Sequence, residues 1–470
     1  MASNGNAASA RRGYLDLNSG MMLAVSALSI AACFVIGQFE MGNSFWGLFP
    51  IVLYAVLCIW GLDIVLATVT ALIAAFAILQ AEPSAVGKAL GASLGETVTL
   101  IGMVSVLGAG LGEVLRSTGV AGVLVHSVLK LVGQRSVNAV IVGIMFACML
   151  VVAMLGTIGG SLAIVAPILI AVATTYGVTR RATAAAFMYG GCAGLALAPF
   201  AGSNIAIMVA ADVGYLDYLI YGAGPLAIIS VIVGLPIIFW LQKRAATEND
   251  YYEPIEDGEE KPSHRASALA TAVFVTGLLV TIAYSIYSKA GISVPVLALP
   301  LLAFITGTAG GNSPSETLKE FYRGAGAFIH LFLLFWMLAA LFNVIDELGP
   351  FETLAKNFST ELGSVSPFIF AVIVAFVGLF GVPGASAAVV VLVDQIFGGL
   401  ASQVGISVGA WIIVLIFSSK GDTYGPFPNA NMVTCMGMAR YDNLKYMLLA
   451  GWFLLIPATI MYVILLYFVV

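Results

Sequence analysis

The chain has 470 residues, of which 61% are hydrophobic and 9% are charged, and its formal net charge is −5. A soluble domain carries about 25% charged residues, and this much apolar surface exceeds what one globular core can bury. The composition therefore excludes a water-soluble globular protein, and the small net charge gives no indication of nucleic-acid binding.

The apolar residues form long uninterrupted blocks, which favour membrane-spanning helices over the alternating pattern of an outer-membrane barrel. We predict an all-α polytopic membrane protein with about 11 to 13 transmembrane helices. Several blocks are shorter than the ~20 residues of a straight span and are interpreted as half-helices or re-entrant segments. The apolar blocks lie near residues 21–39, 45–60, 64–79, 98–115, 137–155, 162–175, 183–197, 219–241, 268–287, 294–305, 328–345, 367–380, 387–401, 411–417 and 446–470.

Two polar stretches divide the chain. Residues 1–19 carry Arg11 and Arg12 and are predicted to form a cytoplasmic tail, because basic residues favour that side of the membrane. Residues 243–266 are rich in acids and contain two prolines, as is typical of a flexible linker. The predicted domains are thus the tail, a first membrane repeat over 20–242, the linker, and a second membrane repeat over 267–470.

Two motifs of the first half recur in the second. Gly156-Thr-Ile-Gly-Gly-Ser161 is followed 225 residues later by Gly381-Val-Pro-Gly-Ala-Ser386. Pro199-Phe-Ala-Gly-Ser-Asn204 is followed 227 residues later by Pro426-Phe-Pro-Asn-Ala-Asn431. The constant order and spacing indicate an internal duplication.

Both motifs are rich in helix-breaking and small polar residues. Broken backbone is tolerated in a bilayer only where protein surrounds it or a water-filled cavity adjoins it, so matched breaks in two halves indicate a central transport site. A proline and an amide at matched positions favour function, although small residues also permit close helix packing. The predicted substrate-binding residues are Thr157, Gly159, Ser161, Ser203, Asn204, Gly384, Ser386, Thr423, Asn429 and Asn431.

Charged residues near membrane depth are functional candidates because each is costly there, by about 2.5–3.5 kcal/mol at a helix centre. Lys420 could neutralise a substrate carboxylate. Asp394 or Asp422 could carry a coupling proton or bind sodium. The alternative places Lys420 and Asp422 in a loop at the membrane surface, and Asp394 at the interface.

Several motifs are absent from the sequence. There is no GxxxxGK[ST] phosphate loop, which excludes an ATP-driven pump for this chain. Neither an HExxH nor a CxxCH motif occurs, and we expect neither an enzyme with catalytic residues nor a bound metal or cofactor, other than the coupling ion.

The chain resembles the ion transporter superfamily, with its gluconate permeases, C4-dicarboxylate carriers and Na+/H+ antiporters. The likeness rests on Leu107-Gly-Ala-Gly-Leu-Gly-Glu-Val-Leu-Arg-Ser-Thr-Gly119, on the order of Gly177, Pro199 and Gly214, and on Gly421-Asp-Thr-Tyr-Gly-Pro426. It implies scaffold and transport helices, two re-entrant hairpins meeting at mid-membrane, and a homodimer. The predicted fold is therefore two inverted repeats, each with a re-entrant hairpin and a broken helix.

The sequence departs from the sodium-coupled dicarboxylate branch at one point. It lacks the Ser-Asn-Thr triplet, because Ile205 follows Ser203-Asn204 and Ala430 follows Asn429. Sodium binding at these positions is therefore not implied by the resemblance.

The function predicted from these observations is secondary transport, in the inner membrane, of a small organic anion coupled to H+ or Na+ by alternating access. A Na+/H+ antiporter without an organic substrate is the first alternative, and a channel is the second. The expected partners are the organic anion, the lipid bilayer and a second copy of the chain.

Overall fold

The structure is a computed structural model. It describes residues 19–39, 45–60, 62–133, 136–253, 264–288, 292–350, 353, 365–381, 386–425 and 429–470. Only the backbone is described for residues 19, 20, 59, 264–266, 380, 381 and 421–423. Within these ranges every regular element is a helix, which confirms the predicted all-α fold.

The helices of the first half continue into the predicted linker as far as Thr247. They are α1 (Ser19–Gln38), α2 (Phe49–Ile59), α3 (Ile64–Leu79), α4 (Pro83–Ser93), α5 (Thr97–Ser117), α6 (Val120–Val132), α7 (Val137–Leu155), α8 (Ile158–Tyr176), α9 (Arg180–Leu197), α10 (Gly202–Ala210), α11 (Tyr215–Tyr218) and α12 (Gly224–Thr247). A π-helical turn, Leu219–Ala223, joins α11 to α12.

The helices of the second half follow the linker. They are α13 (His264–Ser288), α14 (Ser293–Ala309), α15 (Pro314–Ala327), α16 (Ile329–Leu348), α17 (Pro367–Gly381), α18 (Ser386–Val404), α19 (Val408–Tyr424), α20 (Ala430–Met438) and α21 (Leu444–Val469).

Local sequence signals set many of these helix ends. The Asp63 carboxylate accepts a hydrogen bond from the amide of Val65 at 3.1 Å and caps α3. Ser313 and Glu316 form a reciprocal capping box at the start of α15. Gly156 ends α7 with φ of 72°, a left-handed conformation that glycine adopts without strain. This turn lets the chain reverse within two residues into α8.

Nine helices of the described chain are long and apolar enough to cross a membrane, or ten if the bent pair α9 and α10 counts as one span. Six further apolar helices, of 10 to 17 residues, are too short for this test. The protein is therefore a multi-pass membrane protein. The 11 to 13 helices predicted from the sequence exceed the strict count, and the difference lies in these shorter helices.

The order of helices repeats between the halves. Helices α8 and α18 both have 19 residues, and α18 starts and ends 228 positions after α8. Helices α10 and α20 both have 9 residues and are again 228 positions apart. Moreover, α10 packs against α18 while α20 packs against α8, so the two halves exchange equivalent contacts. This exchange is the arrangement expected of two copies related by an approximate two-fold axis.

One end of the bundle is held by a charged cluster around Arg181, which is only 3% exposed at the start of α9. Its guanidinium donates to the Tyr441 hydroxyl at 3.0 Å, pairs with Glu248, and lies 3.8 Å above the ring of Tyr446. Arg181 thus connects the end of α12 to the loop between α20 and α21.

The predicted linker is in part ordered against this cluster. Helix α12 continues to Thr247, and beyond it the Asp250 carboxylate accepts from Arg180 at 2.8 Å and from the Arg181 amide at 3.1 Å. The Tyr252 hydroxyl donates to the carbonyl of Ala439 at 2.9 Å. Residues 254–263 of the linker lie outside the described chain.

Candidate functional site

The helix break of the first half lies between α9 and α10, whose axes are bent by 41°. The Asn204 side-chain amide is fully buried and donates to the carbonyls of residues 195, 196 and 198 at 2.8, 3.0 and 2.7 Å. The Tyr215 and Tyr218 hydroxyls donate to the carbonyls of residues 197 and 196, at 2.5 and 2.7 Å. Side-chain donors therefore already satisfy the carbonyls at the C-terminal end of α9, whereas the backbone amides at the N-terminal end of α10 face a cavity.

This cavity, which we call the central cavity, has a volume of about 190 Å³ and lies between the two halves. The two halves contribute to it unequally: the break segments of the first half form one side, and α16 with the start of α18 form the other. Its lining comprises Ser105, Gly108, Leu155, Gly156, Thr157, Phe200, Ala201, Gly202, Ser203, Phe328, Leu331, Leu334, Phe335, Ser386, Ala387 and Ala388.

Three helices begin at the central cavity. Thr157 is the N-cap of α8, Ala201 is the N-cap of α10, and Ser386 is the first residue of α18. Neither Thr157 nor Ala201 makes a side-chain capping hydrogen bond. Because the first amides of a helix lack partners within it, helix N-termini carry a partial positive charge and attract anions.

The polar side chains of the central cavity are hydroxyls, from Ser105, Thr157, Ser203 and Ser386, and none of its lining residues is acidic. Hydroxyls can donate to a bound carboxylate, while an acidic lining would repel it. The composition of the lining therefore suits an anion better than a free cation.

Lys420 extends this positive character from the second half. It lies on α19, is 2% exposed, and its Nζ donates to Ser203 Oγ at 2.5 Å. A lysine buried to this degree is costly unless hydrogen-bonded or paired, so its position beside a cavity-lining hydroxyl is a functional indication. The surface-loop alternative does not fit Lys420, which is buried between the halves.

The structure brings four of the predicted substrate-binding residues together. Thr157, Ser203 and Ser386 line the central cavity, and Lys420 donates a hydrogen bond to Ser203. Other predicted residues lie nearby without lining it. Ser161 is buried and donates to the carbonyl of Thr157 at 2.5 Å, and Gly159 faces Thr434 on α20.

The remaining predicted residues belong mostly to the second break. Asn429 caps α20 by accepting from the Met432 amide at 2.8 Å, and Asn431 lies partly exposed on the first turn of the same helix. Gly384 lies outside the described residues, as do the side chains of Asp422 and Thr423. Their predicted roles stay predictions.

Sequence reasoning missed several lining residues. Ser105 comes from the middle of α5, and Phe328 and Phe335 come from the start and first turns of α16. Phe200 lies inside the repeated Pro-Phe motif, so its position could have been singled out. The others carried no local signal, because residues within long helices reach the cavity only through packing of α5 against α16.

Asp394 lies away from the central cavity on a helix that begins there. It is eight residues after Ser386, which corresponds to about 12 Å along α18. Its carboxylate is partly buried and accepts a hydrogen bond from Trp411 Nε1 at 3.0 Å. Across the described residues no group of three or more His, Cys, Asp or Glu side chains is placed to hold a metal ion.

The model of the Na+/H+ antiporter family matches residues 16–240, which include the first helix break and the Thr157 segment. The matched segment covers slightly less than half of the chain, so the likeness to this family is established for the first half. Over these residues the match agrees with the resemblance that the sequence motifs indicated.

Two solved transporter structures share this fold. The YdaH transporter of Alcanivorax borkumensis is similar with a TM-score of 0.58 and 16% identity, over 82% of this chain and 87% of that chain. MtrF of Neisseria gonorrhoeae, described as illuminating a class of antimetabolite efflux pumps, gives a TM-score of 0.56 and 16% identity, over 81% of this chain and 83% of that chain. No curated protein matches the chain.

Proposed function

We propose that this protein is a secondary active transporter that moves a small organic anion, coupled to H+ or Na+, by alternating access. The observation that carries the proposal is the convergence of three helix N-termini, those of α8, α10 and α18, on a cavity whose lining has no acidic residue. Helix N-termini of broken helices are a recurrent way of binding anionic substrate groups in transporters.

In this proposal the carboxylate of the substrate binds the backbone amides and the hydroxyls of Thr157, Ser203 and Ser386. Lys420 supplies a compensating positive charge from the second half, so that binding involves both halves. The volume of about 190 Å³ is below the ~300 Å³ of sites for drug-sized ligands. The phenylalanine and leucine side chains of the lining suit the carbon skeleton of a small acid.

Asp394 is proposed to handle the coupling cation, because it lies on α18, the helix that begins at the central cavity with Ser386. A cation moving with the anion lowers the net charge transferred, so the membrane potential opposes uptake less. We also propose two inverted repeats as the basis of alternating access, a location in the inner membrane, and a homodimer.

Uptake of labelled acids into proteoliposomes tests the proposal, with and without an imposed Na+ or H+ gradient. Gluconate, C4-dicarboxylates, citrate and lactate form the first panel. For the acid that is taken up, Lys420→Met should lower uptake by about tenfold or more, since hydrogen bonds to charged groups contribute about 1.5–3 kcal/mol.

The matched control is Lys445→Met, which removes a lysine from the exposed start of α21 and should leave uptake unchanged. Thermal unfolding of both variants separates loss of binding from loss of fold. Unchanged uptake in Lys420→Met, with a normal melting temperature, would contradict the role given to this lysine.

A Na+/H+ antiporter without an organic substrate is the second candidate. The match of residues 16–240 to the Na+/H+ antiporter family and the partly buried carboxylate of Asp394 favour it. It predicts Na+-driven proton flux in proteoliposomes that contain no acid, abolished by Asp394→Asn and preserved in the exposed variant Asp217→Asn. Proton flux that appears only when an acid is present would favour the anion transporter.

A further inference from the structure

A second and larger cavity of about 550 Å³ adjoins the central cavity. It lies between the segment from α10 to α11 on one side and the helices α13 and α14 on the other. Met208 on α10 and Ile282 on α13 form opposite walls, and the carboxylates of Asp212 and Asp217 line it near the α10–α11 turn. We call it the outer cavity.

One side chain separates the two cavities. Phe200 lies in the lining of both, whereas Pro199 lines only the outer cavity and Ala201 lines only the central cavity. The wall between the cavities is therefore the short non-helical stretch between α9 and α10, and the Phe200 ring is its bulkiest part.

The backbone of this wall is held firmly. Asn204 binds the carbonyl of Ala198 at 2.7 Å, and the Tyr215 hydroxyl binds that of Leu197 at 2.5 Å. Breaking these buried hydrogen bonds would cost more than turning one side chain, because an aromatic ring moves between staggered rotamers without disturbing the backbone. The Phe200 ring is only partly buried, which leaves space for such a movement.

The outer cavity reaches the surface of the protein. Asp212 and Asp217 are exposed and also line it, so its mouth lies where their carboxylates are. Charged side chains in membrane proteins lie toward water because burial in lipid is costly. The mouth is therefore on the aqueous side of the bilayer interface, not toward the lipid chains.

We propose that the outer cavity is the aqueous access route to the central cavity, and that Phe200 is the gate between them. The inference rests on the proposed function only in assuming that the solute is bound in the central cavity. The gate opens by rotation of the Phe200 ring while the tethered backbone of the α9–α10 break stays in place.

Cysteine accessibility tests this gate without requiring transport. In a variant whose five native cysteines are replaced, Ser386→Cys reports on the central cavity and Met208→Cys on the outer cavity. The probe is an anionic, membrane-impermeant methanethiosulfonate applied to the full-length protein, and the measured quantity is the labelling rate.

Adding Phe200→Ala should accelerate labelling of Ser386→Cys by about tenfold. This is the change in rate that lowering the activation free energy by about 1.4 kcal/mol would give. It should leave labelling of Met208→Cys unchanged. The control is Phe328→Ala, which removes a ring from another wall of the central cavity and should not accelerate labelling. Phe200→Trp, a larger ring at the same position, should slow it.

Equal labelling of Ser386→Cys with and without Phe200, or equal acceleration by Phe328→Ala, would overturn the gate. Resistance of Met208→Cys to the probe would overturn the access route. If the expected labelling pattern appears but no acid is transported, the access route stands and the proposed anion substrate fails. The two proposals are therefore tested separately.

Discussion

Asn204 gives a sharp prediction about what holds the first helix break in shape. Its amide donates to three buried carbonyls, and substitution by alanine would remove all three hydrogen bonds. The carbonyl of Ala196 would keep its bond from Tyr218, and that of Leu195 would keep its bond from the Ala198 amide, whereas the carbonyl of Ala198 would lose the side-chain donor described here. A buried polar group without a partner costs about 1–3 kcal/mol, so we expect Asn204→Ala to destabilise the protein by about that amount.

The assay is reversible unfolding of the purified protein in micelles, followed by circular dichroism. Asn204→Asp is the most informative second variant, because it keeps the size of the side chain but removes the donors, so it should destabilise as much as Asn204→Ala. The control is Asn431→Ala, the matching amide of the second repeat, which is partly exposed and should change stability by less than about 0.5 kcal/mol.

The reasoning would be refuted if Asn204→Ala and Asn431→Ala had the same small effect on unfolding. It would also be refuted if Asn204→Ala left stability intact but abolished substrate binding. In that case Asn204 would be a substrate ligand, as the sequence alone suggested.

Two further predictions concern packing and pH. Gly194→Ala should destabilise the protein by about 1–3 kcal/mol despite the better helix propensity of alanine, because the new Cβ would overlap the carbonyl oxygen of Met149. The control is Gly399→Ala, which places its Cβ in open space and should not destabilise the protein. The pKa of Glu248 is lowered by its hydrogen bond from Arg181, so this pair stabilises the fold above the ordinary carboxyl range and loses that contribution as pH falls through the lowered pKa. Melting temperatures measured from pH 7 to pH 3 should therefore fall less steeply for Glu248→Gln than for the parent protein.

Hydropathy was sufficient to predict most of the helices. The predicted blocks 64–79 and 137–155 coincide with α3 and α7 as observed. Helix α15 was missed because it is short and charged, and lies outside any apolar block. Its capping box of Ser313 and Glu316 was nevertheless a readable start signal.

The candidate site was predictable only in part. The repeated motifs led to Thr157, Ser203 and Ser386, because a break repeated in two halves has a recognisable sequence. The role of Asn204 could not be decided in this way. An amide three or four residues after a break can face a ligand or tie down the broken backbone, and only the packed structure shows its partners.

In the described residues, the charged cluster at Arg181 has no counterpart at the matching position of the other repeat. The position 228 residues later is Gly409, where a Cβ would lie 2.9 Å from the Tyr221 ring, so a tyrosine packs directly on the backbone instead of on a guanidinium. Under the proposed alternating access, the starts of α9 and α19 would exchange environments, and in the described residues at these two positions only the start of α9 has ion pairs to break. We therefore expect the two states of the transport cycle to be unequal in energy, so that one of them is preferred at rest. Because salt screens exposed charges such as Glu248, that preference should weaken as ionic strength rises.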